Sequence, residues 1–134
     1  MITAVDTNIL IDILEPDPVH GLRSKEALKK CLREGAVVAC DVVWAEVATA
    51  YGNNQKDLAE ALQVMRIGFS AMSMESAMGA ARSWHNYRRR GGGRARIAAD
   101  FLIGGHAAAQ AERLLTRDLN FYRKHFKGVA VVSP

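Results

Sequence analysis

The sequence predicts an α/β domain built on a largely parallel central sheet of four to five strands, and three observations carry that prediction. Short apolar runs of strand length alternate with longer stretches whose apolar residues recur at helical spacing. The chain has 134 residues, a usual size for one domain, so residues 1–134 read as a single unit with a core that needs no staples. Its composition, 49% hydrophobic and 24% charged, is that of a globular protein rather than a disordered one.

Taken in order, Ile2–Val5 reads as a buried strand, and Asp6-Thr7-Asn8 leads into a short helix through Leu14, ended by Pro16 and Pro18. Ser24 reads as the cap of a helix from Lys25 to about Glu34, with Gly35 as its stop. Val37–Cys40 is the second strand, and Asp41 takes the N-cap position of a helix over Val42–Tyr51. Asn54 caps the next helix, marked by Leu58, Ala61, Leu62 and Met65; Gly68 reads as its end and Phe69–Met72 as a short strand. A longer helix starts near Ser73 and closes on Arg88–Arg90, cations suited to a helix C-terminus. After Gly91–Gly93 come a helix from near Asp100, a strand over Leu114–Thr116, a short helix through Phe126 and a final strand over Val129–Val132.

Several classes are set aside by composition. Cys31 and Cys40 form no close pair, which excludes a disulfide scaffold or a four-cysteine zinc site and suits a reducing cytosol. The N-terminus has no basic region and meets Asp6 too soon for a signal peptide, and no apolar run approaches the roughly 20 residues that cross a bilayer. The expectation is a soluble cytoplasmic protein with no membrane partner. Eighteen basic against fourteen acidic side chains leave a net charge of +4, which favours polyanionic partners. Arg88, Arg89, Arg90, Arg94 and Arg96 crowd around three glycines. They read either as a strip that neutralises the phosphates of a nucleic acid at a groove entrance or as a helix end followed by a solvated loop.

The chemistry lies in acids that fall at the carboxyl ends of strands, the edge where open α/β sheets bind ligands. Asp6 directly follows the first strand and Asp118 follows the strand over Leu114–Thr116. Glu46 lies about one turn into the helix that leaves the second strand, and Asp100 opens a helix after the glycine-rich loop. Each alone reads equally as a turn residue, a cap or a solvated helix acid. Together, on a parallel sheet, the four converge, and clustered carboxylates repel unless cations neutralise them or protons bind. Hard oxygen ligands of this kind suit Mg²⁺ or Mn²⁺. Asp12, Asp17, Glu34 and Glu112 read as exposed positions, Trp44 as core, and Trp84 and Tyr87 as core rather than a base-stacking platform. His20, His85, His106 and His125 stand too far apart in sequence to form a local metal pair, and no GxSxG elbow or Walker A loop is present.

The stretches Val5-Asp6-Thr7-Asn8-Ile9-Leu10, Trp44-Ala45-Glu46, Asp100-Phe101-Leu102-Ile103-Gly104 and Leu115-Thr116-Arg117-Asp118 resemble the PIN domain, in the form of the VapC toxins of bacterial toxin–antitoxin pairs. The resemblance runs over essentially the whole chain and implies a three-layer α/β/α sandwich. It places Asp6, Glu46, Asp100 and Asp118 on the family's four acidic positions and Thr116 on its usual Ser/Thr, with Asn8 orienting the cluster. Asn120 stands where many relatives carry a further acid.

The resemblance implies a metal-dependent endoribonuclease that leaves a 5′-phosphate and a 3′-hydroxyl. Asp6, Asp100 and Asp118 would hold one or two divalent ions, Mg²⁺ or its substitute Mn²⁺, and Glu46 would be a ligand or the proton acceptor for the attacking water. It further implies a VapB-type antitoxin as partner, a homodimer and a toxin–antitoxin hetero-oligomer, with DNA reached only through the antitoxin. The apolar positions from Leu58 to Met78 read as contact surface or as core. Two other readings stand beside this one. A non-catalytic RNA-binding module of the same fold gains nothing from clustered carboxylates. A phosphatase of the haloacid dehalogenase type wants a second Asp two positions after the first, where Asn8 stands.

Overall fold

A computed structural model describes residues 1–52, 54–93 and 98–134. Among these, β1 (Ile2–Val5), β2 (Ala36–Cys40), β3 (Ile67–Ser70), β4 (Arg113–Leu115) and β5 (Ala130–Val132) form one sheet in the order β3-β2-β1-β4-β5. Every neighbouring pair is parallel, with Ala4 opposite Val38 on one side and Leu114 on the other. The helices are α1 (Thr7–Leu14), α2 (Gly21–Glu34), α3 (Asp41–Ala50), α4 (Gln55–Val64), α5 (Met74–Arg89), α6 (Ala98–Gln110) and α7 (Leu119–His125). The chain steps outward from β1 through β2 to β3, then returns to the far side for β4 and β5. Right-handed crossovers therefore put α1–α4 on one face of the sheet and α5–α7 on the other. The architecture is the expected α/β/α sandwich, with a sheet parallel throughout.

The central strands read as continuous apolar runs because both faces are covered. Thr3, Ala4 and Val5 of β1, Val37, Ala39 and Cys40 of β2, and Leu114 and Leu115 of β4 are all buried. On one face α1 drives Ile9 and Leu10 into the core with no exposure. On the other, Phe101 is fully buried and packs its ring against Trp84, Tyr87, Phe121 and Phe126. Pairs of this kind add about 0.5–1.5 kcal/mol each beyond area burial. They fix α6 between α5 and α7, and with it the residue before Phe101, which is Asp100.

Element boundaries depart from expectation where tertiary contacts override local signals. Ser24 does not cap α2; it lies inside the helix, fully buried, and donates to Asp12 Oδ2 at 2.6 Å. The turn before α2 is made instead by Asp17, whose Oδ1 accepts from the amides of Val19 and His20. Asp41 is the first residue of α3, one place beyond the cap. Gly68 does not end α4, which closes at Val64 and turns through Arg66 with φ 60°; Gly68 lies within β3. Asn54 caps α4 as expected, accepting from Asp57 N, and Ser73, near the expected start of the next helix, caps α5 by accepting from Ser76 N. Gly91, with φ 81°, stops α5 in the left-handed conformation that glycine adopts without penalty. At Gly35 the reason for glycine is space, since a Cβ there would lie 1.9 Å from the Met1 carbonyl oxygen.

Candidate acidic active site

Asp6 is the hub of the carboxyl edge. Its backbone amide donates to Leu115 O at 2.9 Å, which extends the β1–β4 pairing by one residue and fixes the side chain at the seam between the two strands. As N-cap of α1 it accepts from Thr7 N on Oδ1 at 2.7 Å. Its other oxygen, Oδ2, accepts from Thr116 Oγ1 at 2.6 Å and from Asn8 Nδ2 at 3.3 Å. Thr116 Oγ1 in turn accepts from Asp118 N at 3.0 Å, so one threonine ties the first acid to the last. Asp6 is only 4% exposed, and its pKa is raised from 3.8 to about 6. Burial is the main cause, the bonds from Thr116 and Thr7 oppose it, and the carboxylates of Asp100 and Glu46 push the same way as burial.

Around this hub the chain brings together the other three acids. Glu46 on α3 is half-buried and accepts from Thr7 Oγ1 at 2.6 Å. Asp100 lies in the first turn of α6, and Asp118 is the N-cap of α7. Asp6, Glu46, Asp100 and Asp118 line one cavity of about 350 Å³, together with Thr7 and Asn8. Among the described residues no group of three or more His, Cys, Asp or Glu side chains is set to hold a metal ion as it stands. The acids face a shared space rather than one already gripped point.

The fold and this edge are those of a known group. A family model, PIN domain, matches residues 3–127. The chain belongs to the PIN domain family. Solved structures are similar in fold at low identity. A chain in the crystal structure of VapBC2 from Rickettsia felis bound to a DNA fragment from their promoter is 16% identical, with TM-score 0.77, covering 100% of this chain and 99% of that one. A chain of DNA-bound VapBC from Salmonella typhimurium is 18% identical, with TM-score 0.71 and coverage of 99% and 98%. A chain of VapBC-1 from nontypeable Haemophilus influenzae is 15% identical, with TM-score 0.76 and coverage of 99% and 98%. No curated protein matches the sequence.

This PIN domain also uses residues that sequence reasoning passed over. Asp12, read as exposed, is 3% exposed and lines the acid cavity. It accepts from Arg117 Nε at 2.7 Å and Nη2 at 3.1 Å, and from Ser24. The signal was present, because Asp12 stands four residues after Asn8 and shares its face of α1. Tyr122 is 1% exposed and its hydroxyl has no hydrogen bond of good geometry among the described residues. Its phenol is held well above its ordinary pKa, first by burial and then by Asp6, Asp100 and Asp118 nearby.

Other expected positions fall elsewhere. Arg88, Arg89 and Arg90 are exposed at the end of α5 and do not line the acid cavity, while Arg94 and Arg96 lie outside the described residues. Asn120 is exposed. His106 is buried against Ser70 Oγ at 2.9 Å, with its pKa lowered by burial, and His125 packs on Phe101 and Phe121. Trp44 is half-buried and packs edge-on against exposed Phe69. Tyr87 packs half-buried on Phe101 as a core-facing ring, whereas Trp84, expected in the core, is exposed and only stacks one face on Phe101. Leu58 and Leu62 are core, which leaves Val64, Phe69, Met74 and Met78 as the large exposed apolar side chains of that region. Among the described residues no helix is long and apolar enough to cross a membrane.

Proposed function

We propose that this PIN domain is a divalent-metal-dependent endoribonuclease and the toxin half of a VapBC-type toxin–antitoxin pair, acting in the cytoplasm. One observation carries the reading: carboxylates from the end of β1, from α3 and α6 and from the start of α7 line a single cavity, and burial with the neighbouring carboxylates raises the pKa of the most buried of them, Asp6. The donor set fits a hard divalent cation. It offers hard oxygen donors, chiefly carboxylates with the Thr7 hydroxyl and the Asn8 amide beside them, and it has an excess of negative charge. Asp6, Asp100 and Asp118 would hold Mg²⁺ or Mn²⁺, with side-chain rotation closing them inward. Bound there, the ion supplies Lewis-acid chemistry at a phosphate oxygen and acidifies a nearby water.

The protein's own groups supply the remainder. Glu46, aimed by the Thr7 hydroxyl, accepts the proton of the attacking water. Thr116 and the Thr7 amide keep both oxygens of Asp6 in fixed directions, and Asn8 braces the same carboxylate while accepting from Arg117 N. Attack on the phosphodiester then leaves a 5′-phosphate and a 3′-hydroxyl. The Rickettsia and Salmonella relatives are VapBC assemblies on DNA, which supports a VapB-type antitoxin as partner here; DNA contact, in this reading, is made by that partner. The exposed Val64, Phe69, Met74 and Met78 supply an apolar surface for a homodimer or for the antitoxin.

The test is cleavage of a labelled single-stranded RNA by the purified chain with Mg²⁺ or Mn²⁺. The expected result is cleavage that EDTA stops and that Asp6→Asn reduces to background while circular dichroism stays native. Cleavage unaffected by EDTA or by Asp6→Asn, or tight RNA binding with no cleavage in either metal, would overturn the proposal.

A further inference from the structure

Three cavities of this domain share lining residues and so form one continuous surface. Arg117, which borders the acid cavity, also borders a second hollow with His20 and Arg23. Arg23 in turn borders a third, of about 550 Å³, lined by Lys30, Arg33 and Arg113. The path is set by α2. That helix returns from the carboxyl edge of the sheet to the opposite edge, as a crossover helix must, so Arg23 lies toward the acids and Arg33 away from them. Arg23, Glu26, Lys30 and Arg33 are spaced three, four and three residues apart, which puts them in one stripe of the helix. Leu28 and Cys31 face the core beside that stripe.

Cations are in excess along the path. Arg23, Lys30, Arg33 and Arg113 border the largest hollow with the carboxylate of Glu26, while Glu34 beside it attracts Arg113, Lys30 and Arg33. Glu26 is joined to Lys29 at 3.3 Å, and Arg113 is joined to Glu34. Among the described residues none of Arg23, Lys30 and Arg33 is held in an ion pair, and all three are exposed. From Arg23 to Arg33 the helix rises about 15 Å, room for several phosphates of an extended strand. Arg117 is anchored by Asp12 with a third of its side chain exposed, and stands where this track meets the carboxylates.

We infer that this track along α2 binds the backbone of the RNA strand whose scissile phosphate enters the acid cavity. The inference rests on the nuclease reading for the identity of its ligand. A run of cations that ends on a carboxylate cluster suits a polyanion cut at one point, since the track attracts the strand and the acids admit a phosphate only together with a metal cation.

Binding without cleavage separates the two ideas. A fluorescein-labelled single-stranded RNA oligonucleotide is titrated in EDTA and followed by anisotropy from low to moderate salt. Three proteins are compared: wild type, the triple variant Arg23→Ala/Lys30→Ala/Arg33→Ala, and the control Lys56→Ala/Arg82→Ala/Arg123→Ala. The control removes the same charge from exposed positions away from the track. Losing three phosphate contacts lowers the slope of log K against log salt by about 2, and affinity by about a hundredfold at 0.1 M salt. The control should stay near wild type. Equal losses in both triple variants, or none in the track variant, would overturn the inference even if the wild type cleaves RNA in Mg²⁺. A selective loss in the track variant would support it even if the wild type cleaves nothing, in which case the nuclease reading fails and the track survives. Undiminished RNA binding with lost binding of an acidic peptide would assign the track to a protein partner instead, and overturn it.

Discussion

Removing the charge of Asp6 should stabilise the metal-free protein, and only above the range in which Asp6 titrates. The carboxylate is 4% exposed, with its pKa raised from 3.8 to about 6. A shift of about 2 units corresponds to about 3 kcal/mol. The sign follows from the direction of the shift. The unfolded chain ionises this group near 3.8, whereas the folded chain resists until about 6, so the native state carries the whole penalty above pH 6 and none below 3.8. Asn removes the charge but presents one NH₂, and both oxygens of Asp6 are acceptors: Oδ1 for Thr7 N, Oδ2 for Thr116 and Asn8. One of those bonds is lost or inverted, at about 1–1.5 kcal/mol. The net gain is about 1–2 kcal/mol at pH 8, or about 4–8 °C in Tm for a chain of this size. Thermal melts of wild type and Asp6→Asn in EDTA between pH 4 and 8 measure it, and ionisations common to both proteins cancel in the difference. The gap should close toward pH 4. A variant that melts below wild type at pH 8, or a gap that does not shrink on acidification, would show that the buried carboxylate is not held at a cost.

Three further outcomes follow from the same geometry. Saturating Mn²⁺ should raise the wild-type Tm, by about 10 °C at a hundred times Kd, and raise it far less in Asp100→Asn or Asp118→Asn; an equal rise in all three places the ion elsewhere. Arg117→Ala strands the buried Asp12 carboxylate with only Ser24 and should cost about 2 kcal/mol, whereas Asp12→Asn leaves a partly exposed guanidinium and should cost less. Chemical denaturation of both and of the double variant should give a coupling of about 1 kcal/mol or more, and additive costs would refute the pair. Gly105→Ala should destabilise by about 1–3 kcal/mol, because its Cβ would lie 2.5 Å from Ser76 O and 2.8 Å from Ala80 Cβ where α5 meets α6. Gly79→Ala, whose nearest neighbour is a flexible Arg82 tip at 3.6 Å, should instead stabilise by about 0.5–1 kcal/mol; the same thermal melts read both.

The parts of the fold that sequence made visible are those governed by local chemistry. Ile2–Val5 is a strand of four because an apolar run ends at a carboxylate that caps the next helix, and both signals lie within seven residues. The misread boundaries have distant or unadvertised causes. Ser24 looks like a cap until Asp12, twelve residues earlier, takes its hydroxyl into the core. Gly68 looks like a stop because Arg66 carries out the left-handed turn, which costs a non-glycine residue about 1–2 kcal/mol and leaves no mark in the sequence.

The acids divide in the same way. Asp6 and Asp118 were legible because each follows an apolar strand, and Glu46 because it interrupts an apolar helix. Their supports were not, since Thr7 reaches Glu46 and Arg117 reaches Asp12 across separations of 39 and 105 residues. Those contacts exist only because β1 sits between β2 and β4. The stripe of Arg23, Lys30 and Arg33 has the same character. Its helical spacing is plain in the sequence, where it resembles any solvated face. What makes it more than that is the pairing of β1 with β4, which carries Arg117 to Asp12 and so joins the stripe to the carboxylates. Sheet order, rather than any motif, turns two ordinary surface features into one path.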